Sequence, residues 1–273
     1  MIAVELSKLA RRPRTWLTLV LLNALPTVVA VLLAVTDIAP RPGEGPAFLS
    51  AVVANGQLFA VAALAIVLPL FLPIAVAVVA GDSVAGEAQA GTLRYLIARP
   101  AGRTRLLVAK LVTVLAFTVV AVVLVAGVGY VVGTFVLGTH PETAATSLVT
   151  VSGSDLSAGQ LVVRTALAMA FVALSMLGVA AMALLLSTFT DSPLGATLGA
   201  LAFLIGSSLL LTLDAARPLQ PYLPTRYWLS FVDLFRDPIL WRDVERGALL
   251  QLVYVAVFLG VAWANFATKD ITS

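Results

Sequence analysis

Six long apolar stretches alternate with short polar segments along the chain. They lie near residues 15–35, 57–80, 105–137, 161–186, 194–213 and 248–267. At about 1.5 Å per residue, each stretch is long enough to cross a hydrocarbon core of about 30 Å as a helix. The pattern predicts an all-α, polytopic integral membrane protein whose 273 residues form a single transmembrane domain. The third stretch is longer than needed, which favours a tilted helix.

The segment before the first apolar stretch, residues 1–14, has an amphipathic pattern. Ile2, Leu6 and Leu9 share one helical face, and Glu5, Lys8 and Arg12 lie mostly opposite. Arg11, Arg12 and then Pro13 close the segment. A basic amphipathic helix of this kind is typical of an element that lies flat at a membrane interface. The alternative is a frayed basic leader that only sets the topology.

Composition supports the membrane class. Hydrophobic residues make up 60% of the chain, charged residues make up 11%, and the mean hydropathy is +1.04. Soluble domains have roughly 45–50% apolar and about 25% charged residues. The net charge of +3 is too small to indicate nucleic acid. The first apolar stretch is of span length and lacks a convincing small-residue cleavage site, so we expect a retained span rather than a signal peptide.

The distribution of basic residues predicts the orientation. The N-terminal segment, the second loop with its edges and the C-terminal tail contain Lys8, Arg11, Arg12, Arg14, Arg94, Arg99, Arg103, Arg105, Lys110 and Lys269. The first and third loops offer only Arg41 and, just inside a span, Arg164. Since basic residues favour the cytoplasmic side, both termini and the second loop are expected inside the cell. The high content of Ala, Val, Arg and Gly suggests a bacterium with a GC-rich genome, and hence a bacterial inner or plasma membrane.

The second loop, residues 81–104, is longer and more structured than a simple turn requires. Gly86 and Gly91 permit backbone geometry that a membrane helix resists. Thr92 is a candidate N-cap for a short helix that the Arg99-Pro100 pair would end. Leu93, Leu96 and Ile97 share one side of this helix, and Arg94 is turned elsewhere. The loop is therefore predicted to present a small amphipathic helix outside the bilayer.

Residues 214–247 form the other long polar segment. Three prolines forbid a regular helix at its start, and Trp228, Phe231 and Phe235 then recur at helical spacing. This pattern predicts an interfacial or re-entrant helix at the outer side before the last span. The alternative is an aromatic belt that anchors the last span.

Candidate chemistry is scarce. There is no cysteine, and His140 is the one histidine, so thiolate sites and multi-histidine metal sites are excluded. The predicted span centres contain no charged residue or histidine, which argues against an intramembrane hydrolase and an ion-coupled transporter. We therefore predict no catalytic residue, no metal ligand, no cofactor on this chain and no enzymatic activity of its own.

The sequence of the second loop also resembles that of a known protein family. The order of residues resembles the signature of permease subunits of the second class of ATP-binding cassette (ABC) exporters. The matching positions are Gly86-Glu87, Gly91-Thr92, Leu93, Leu96, Arg99-Pro100, Arg103 and Lys110. The basic N-terminal segment and the six spans agree with the elbow helix and the spans of that family.

This resemblance implies a membrane-spanning half-transporter. Two permease copies, identical or related, would pair, and two separate ATPase subunits would bind beneath them through the coupling helix in residues 81–104. ATP and magnesium would belong to those partners, because the chain lacks a phosphate-binding G-x-x-x-x-G-K-[ST] loop.

The resemblance also suggests roles for the loop residues. Leu93, Leu96 and Ile97 would fill an apolar groove of the ATPase, and Glu87 would face a basic or polar group there or an arginine of this chain. Arg94, Arg99 and Arg103 would pair with ATPase acids or anionic lipid, or would serve only to set the topology.

Two other functional classes stay open. The chain could be a mechanotransmitter or anchor that drives an extracytoplasmic partner protein without moving a solute. An ion-coupled secondary transporter is the third class. For an exporter, the uncharged spans favour a hydrophobic or amphipathic substrate, and lipids, drug-like molecules, peptides and glycan carriers all remain candidates.

Overall fold

The computed structural model describes residues 2–36, 56–91, 102–138, 148–149 and 155–268. Its helices are α1 (Ile2–Arg11), α2 (Pro13–Thr36), α3 (Phe59–Val67), α4 (Phe71–Gln89), α5 (Arg103–Val132), α6 (Ala158–Phe189), α7 (Pro193–Leu210) and α8 (Trp241–Thr268). A 3-10 turn precedes α3, and a π-helical turn, Gly133–Leu137, extends α5. A minimal antiparallel pair joins β1 (Leu148–Val149) to β2 (Asp155–Leu156).

The prediction of six membrane-spanning helices is confirmed at the level of length and composition. Helices α2, α4, α5, α6, α7 and α8 are each long and apolar enough to cross a bilayer. Helix α6 is the centre of the bundle, because it packs against α4, α5, α7 and α8 and is the most buried of the six. The apolar surfaces of α2 and α8 are largely exposed, as expected for helices that contact lipid.

The second apolar stretch differs from its prediction, because it forms two helices rather than one. Helix α3 ends at Val67 and α4 begins at Phe71, with a turn at 68–70 between them. Pro69 and Pro73 account for the break, since neither has a backbone N–H to donate to the preceding helical turn. The break is compensated in part by packing, because α3 contacts α5 while α4 contacts α6 and α7.

Gly129 of α5 and Gly133, the first residue of the π-helical turn, allow α3 and the turn before it to approach closely. A Cβ added to Gly129 would lie 2.8 Å from the Cβ of Ala63, and one added to Gly133 would overlap the backbone carbonyl of Gly56. Gly133 and Gly56 therefore bring backbone against backbone, the geometry that small residues permit between membrane helices. This contact holds α3 in place on the far side of the break from α4.

The aromatic segment before the last span is a 3-10 helix, Trp228–Phe235, and its aromatic side chains face inward. Trp228, Phe231 and Phe235 are all buried, and the 3-10 helix packs on α6 and α8. These three side chains therefore pack inward on the bundle, and the placement of this segment as an interfacial or re-entrant helix at the outer side stays a prediction. Their helical spacing reflects a face that packs on the bundle, which periodicity alone cannot distinguish from a face that meets lipid.

The last span begins earlier than its hydropathy indicated, at Trp241 rather than near residue 248. The charged residues Arg242, Asp243, Glu245 and Arg246 lie in its first turns. A helix can continue past the apolar core into the polar interface, so a hydropathy boundary marks the bilayer and not the end of the helix.

The first and the last described residues of the chain, 2 and 268, belong to helices that meet the same end of the bundle. Helix α1 contacts the start of α5, and Asn265 near the end of α8 donates from Nδ2 to the Thr188 hydroxyl at the end of α6, at 3.0 Å. Gln89, the last residue of α4, also lies there, so the 92–101 segment is connected at this same end. We call this the charged end, and the end that carries the 3-10 helix the aromatic end.

We predict that Gly129→Val destabilises the fold by about 1–3 kcal/mol, because the added methyl groups have no room against α3. Gly127→Val is the matched control, since a Cβ at Gly127 meets nothing within 4 Å. Thermal unfolding of the purified protein in detergent measures the difference. Equal unfolding temperatures for the two variants would refute the close contact between α3 and α5.

Candidate functional site

Six charged side chains meet at the charged end and form what we call the ion-pair cluster. Helix α1 supplies Glu5 and Lys8, and Arg12 follows directly after the end of this helix. The bundle supplies Asp82, Glu87 and Lys110. The six formal charges sum to zero. The sequence pattern placed the charged face of α1 away from its apolar face, and it gave no sign that this charged face binds the bundle.

Lys110 is the centre of the cluster. Its side chain is only 1% exposed, and its Nζ lies 2.8 Å from Glu87 Oε2 and 3.8 Å from Glu5 Oε2. The same ammonium group donates a hydrogen bond to the carbonyl oxygen of Ser83 in α4. A buried ammonium group is tolerated only when acceptors replace its water shell, and here α1 and α4 supply them. Lys110 thus joins three helices.

Lys8 closes the arrangement from the solvent side. Its Nζ lies 2.8 Å from Glu5 Oε1 and 3.2 Å from Glu87 Oε1. Each of the two glutamates therefore contacts both lysines. Glu87 was expected to face an arginine or a partner protein, whereas Lys8 and Lys110 of this chain supply basic groups for it.

Burial and charge act in opposite directions on the α1 side chains. Burial alone would raise the pKa of Glu5, but the hydrogen bond from Lys8 and the charges of Lys110, Lys8 and Arg12 outweigh it, so the pKa lies below its usual 4.5. Burial likewise opposes the charge of Lys8, but Glu5 and Glu87 prevail and hold its pKa above the usual 10.5. Both groups are therefore charged in the docked helix near neutral pH.

Arg12 and Asp82 form the second link between the N-terminal segment and α4. The Asp82 carboxylate lies over Gly86, one turn further along α4, so that a Cβ at Gly86 would collide with it. Gly86 is helical, contrary to the expectation of non-helical geometry at this glycine. Its small size matters instead, since it leaves room for the carboxylate that binds Arg12.

Helix α6 fixes the same part of α4 from the opposite side. The Ser187 hydroxyl donates to the carbonyl of Gly81 at 2.7 Å and accepts from the backbone N–H of Ala85 at 2.8 Å and of Val84 at 3.2 Å. A side-chain hydroxyl that serves three backbone groups of a neighbouring helix is a specific contact in an apolar bundle. The last turns of α4 are therefore clamped between α1 with α5 on one side and α6 on the other.

The remaining predicted loop residues divide into described and undescribed positions. Gly91 has a positive φ of 67°, as its glycine predicted, and it ends the turn after α4. Arg103 is the first residue of α5. Thr92, Leu93, Arg94, Leu96, Ile97 and Arg99 lie outside the described residues, so the coupling helix stays a prediction.

The apolar face of α1 is only partly covered. Leu9 packs against the core of the bundle, Leu6 is half-buried, and Ile2 and Arg11 are exposed. Within the described residues, no cluster of His, Cys, Asp and Glu could hold a metal ion. The site offers positioned charges and an exposed apolar surface beside them, an arrangement suited to mechanical linkage and binding.

Residues 27–272 match the family model described as "Protein of unknown function (DUF2705)". The match covers most of the chain, which therefore belongs to this family. A comparison with curated proteins finds no significant match.

We predict that Lys110→Met destabilises the protein by about 3–5 kcal/mol, because it leaves two partly buried carboxylates without their buried partner. Arg105→Met, on an exposed position of the same helix, is the matched control and should change stability little. Denaturation in detergent measures both. The double variant Lys110→Met with Glu87→Gln should lose less than the sum of the single losses; strict additivity would argue against the pairing.

We predict that α1 stays docked only in a window of pH. The lowered pKa of Glu5 gives stability that is present above pH 4.5 and lost as the pH falls through its folded pKa. The raised pKa of Lys8 gives stability that is present below pH 10.5 and lost as the pH rises through its folded pKa. Because the chain has no cysteine, spin labels at Ser7→Cys and Gln89→Cys report the distance between α1 and α4. Glu5→Gln should weaken the acid response, and it should also move the alkaline limit to lower pH because the hydrogen bond to Glu5 raises the pKa of Lys8. An unchanged acid response would contradict the role of Glu5.

Proposed function

We propose that this DUF2705 family member is the membrane-spanning permease subunit of an ATP-driven ABC exporter, moved by a separate ATPase subunit. The observation that carries the proposal is the ion-pair cluster. It ties α1, the last turns of α4 and the first turns of α5 to one another, on both sides of the 92–101 segment that resembles a coupling helix. A displacement of that segment would therefore move three helices together.

The described residues that flank the 92–101 segment support this proposal. The end of α4 and the start of α5 both lie at the charged end, where α1 and the end of α8 also lie. This end carries basic side chains such as Arg11, Arg14 and Arg105. By the preference of basic residues for the inner side, the charged end faces the cytoplasm, where ATP is found. In this proposal the protein resides in a bacterial inner or plasma membrane, with α1 as the elbow helix at the lipid headgroups.

The loop residues receive roles in this scheme. Leu93, Leu96 and Ile97 form the apolar face that docks in a groove of the ATPase. Arg94, Arg99 and Arg103 pair with acids of the ATPase or with anionic lipid. Glu87 differs from these, because its pairing with Lys110 makes it part of the transmission inside the permease.

The partners follow from the same scheme. Two permease copies, identical or related, line the translocation path, and ATP and magnesium bind to the ATPase subunits. The uncharged interior of the spans suits a hydrophobic or amphipathic substrate. An extracytoplasmic partner protein would dock on the aromatic end, and its stoichiometric co-purification in place of solute transport would identify a mechanotransmitter instead.

We predict that Leu96→Asp abolishes capture of the ATPase subunit, because it places a charge in the apolar docking face. Leu219→Asp is the matched control, since Leu219 is exposed in the segment at the aromatic end. The measurements are co-purification of the ATPase with the tagged chain and the ATPase rate of the reconstituted complex. Glu87→Gln should leave capture intact and lower the coupled ATPase rate or transport.

Two results would overturn the proposal. One is unchanged capture and unchanged coupled activity in the Leu96→Asp variant. The other is labelling of Arg99→Cys by a membrane-impermeant reagent from the outside of intact cells, which would place the segment on the wrong side for an ATPase.

A further inference from the structure

A cavity of about 260 Å³ lies where the second apolar stretch is broken. Its walls come from the turn at 68–70, the first turn of α4, the second half of α7 and Trp228 of the 3-10 helix. Nearly all of the lining side chains are apolar, and none of them carries a charge. The cavity is slightly smaller than the sites of about 300–1,000 Å³ that hold drug-sized molecules, so it fits part of a ligand rather than a large one.

Trp228, one of the residues that line this cavity, has a polar group without a counterpart. Its side chain is 4% exposed, and its indole Nε1 has no hydrogen-bond partner among the residues that the structure describes. Buried indole N–H groups usually have an acceptor, because leaving one unsatisfied is costly. An acceptor oxygen supplied by a ligand in this cavity would satisfy it.

The α4 residues that line the cavity add no free backbone donor. Pro73 has no backbone N–H, and the backbone N–H of Ile74 donates to the carbonyl oxygen of Leu70 at 3.2 Å. Among the described residues, the cavity therefore combines apolar walls with the unsatisfied indole N–H of Trp228.

The cavity opens sideways toward the bilayer. Leu70 and Ile205 at its edge are exposed on the surface that the spans offer to lipid. A ligand can thus enter from the membrane without crossing water. Leu209, at the far end of the lining, is next to the last residue of α7, so the cavity belongs to the half of the bilayer nearer the aromatic end.

From these features we infer that the cavity binds one fatty-acyl lipid of that leaflet, with its chain against α4 and α7 and an ester carbonyl oxygen accepting from Trp228 Nε1. The carbonyl satisfies the indole, and the apolar chain matches the uncharged walls. A charged lipid headgroup would have no oppositely charged side chain to pair with among the residues that line the cavity. This binding site does not depend on the proposed transport function.

The test compares two lipids that differ in one functional group. The purified full-length protein is exchanged into a delipidating detergent and titrated with dioleoyl phosphatidylcholine or with its diether analogue, which lacks the carbonyl. Native mass spectrometry then counts the lipids that each chain retains. We expect one tightly retained ester lipid per chain, with the ether analogue held roughly three- to tenfold more weakly for the loss of one hydrogen bond.

Variants separate the hydrogen bond from the cavity. Trp228→Phe should lower retention of the ester lipid to that of the ether analogue and leave the latter unchanged. Ser208→Phe, at the mouth of the cavity, should remove both lipids, whereas Ala202→Phe, an exposed position of α7 that does not line the cavity, should remove neither. Thermal unfolding checks that each variant is folded. No stoichiometric lipid, full retention in the Ser208→Phe variant, or ester preference that survives Trp228→Phe would each overturn the inference.

Discussion

A buried ammonium group must keep its acceptors, and this requirement organises the charged end of the molecule. Lys110 has almost no access to water, so Glu87, Glu5 and the carbonyl of Ser83 take the place of its hydration shell. Removing any of them leaves a buried charge with fewer partners, whereas moving them together preserves every contact. The cluster therefore favours a joint displacement of α1, α4 and α5 over their separation.

The hydrophobic effect alone could not make these helices associate at specific positions. Within a bilayer, lipid chains are as apolar as leucine side chains, so helices gain little from the hydrophobic effect when they associate. Specific contacts come instead from close packing and from polar groups. The bundle uses Gly129 and Gly133 for the first, and Ser187 together with the ion-pair cluster for the second. Each of these contacts lies near the end of a helix or beside the broken one. Lipid chains offer no hydrogen-bond partner or counter-charge to the backbone groups and charges at such places.

Hydropathy predicted the number and the class of the helices, because span length and apolar composition are local properties of the sequence. It could not predict that Lys8 meets Glu87 or that Lys110 meets Glu5, since these pairs are far apart in the chain and depend on how the helices pack. Periodicity also could not decide what the aromatic face of the 3-10 helix packs against, because an apolar face is equally suited to lipid and to the protein interior. Pro69 and Pro73 did carry a signal for the break, but proline is tolerated in many spans and does not by itself divide one.

The interruption at 68–70 divides the second apolar stretch into two rods with separate attachments. The short rod, α3, is seated on α5 through glycine contacts, while the long rod, α4, is seated on α6 and α7. A continuous helix would transmit a tilt along its whole length, but a jointed one lets the long rod swing while the short one stays still. Motion that begins near Glu87 would thus arrive at the joint as a change of angle, beside the cavity that Trp228 lines, without disturbing the far surface of the protein.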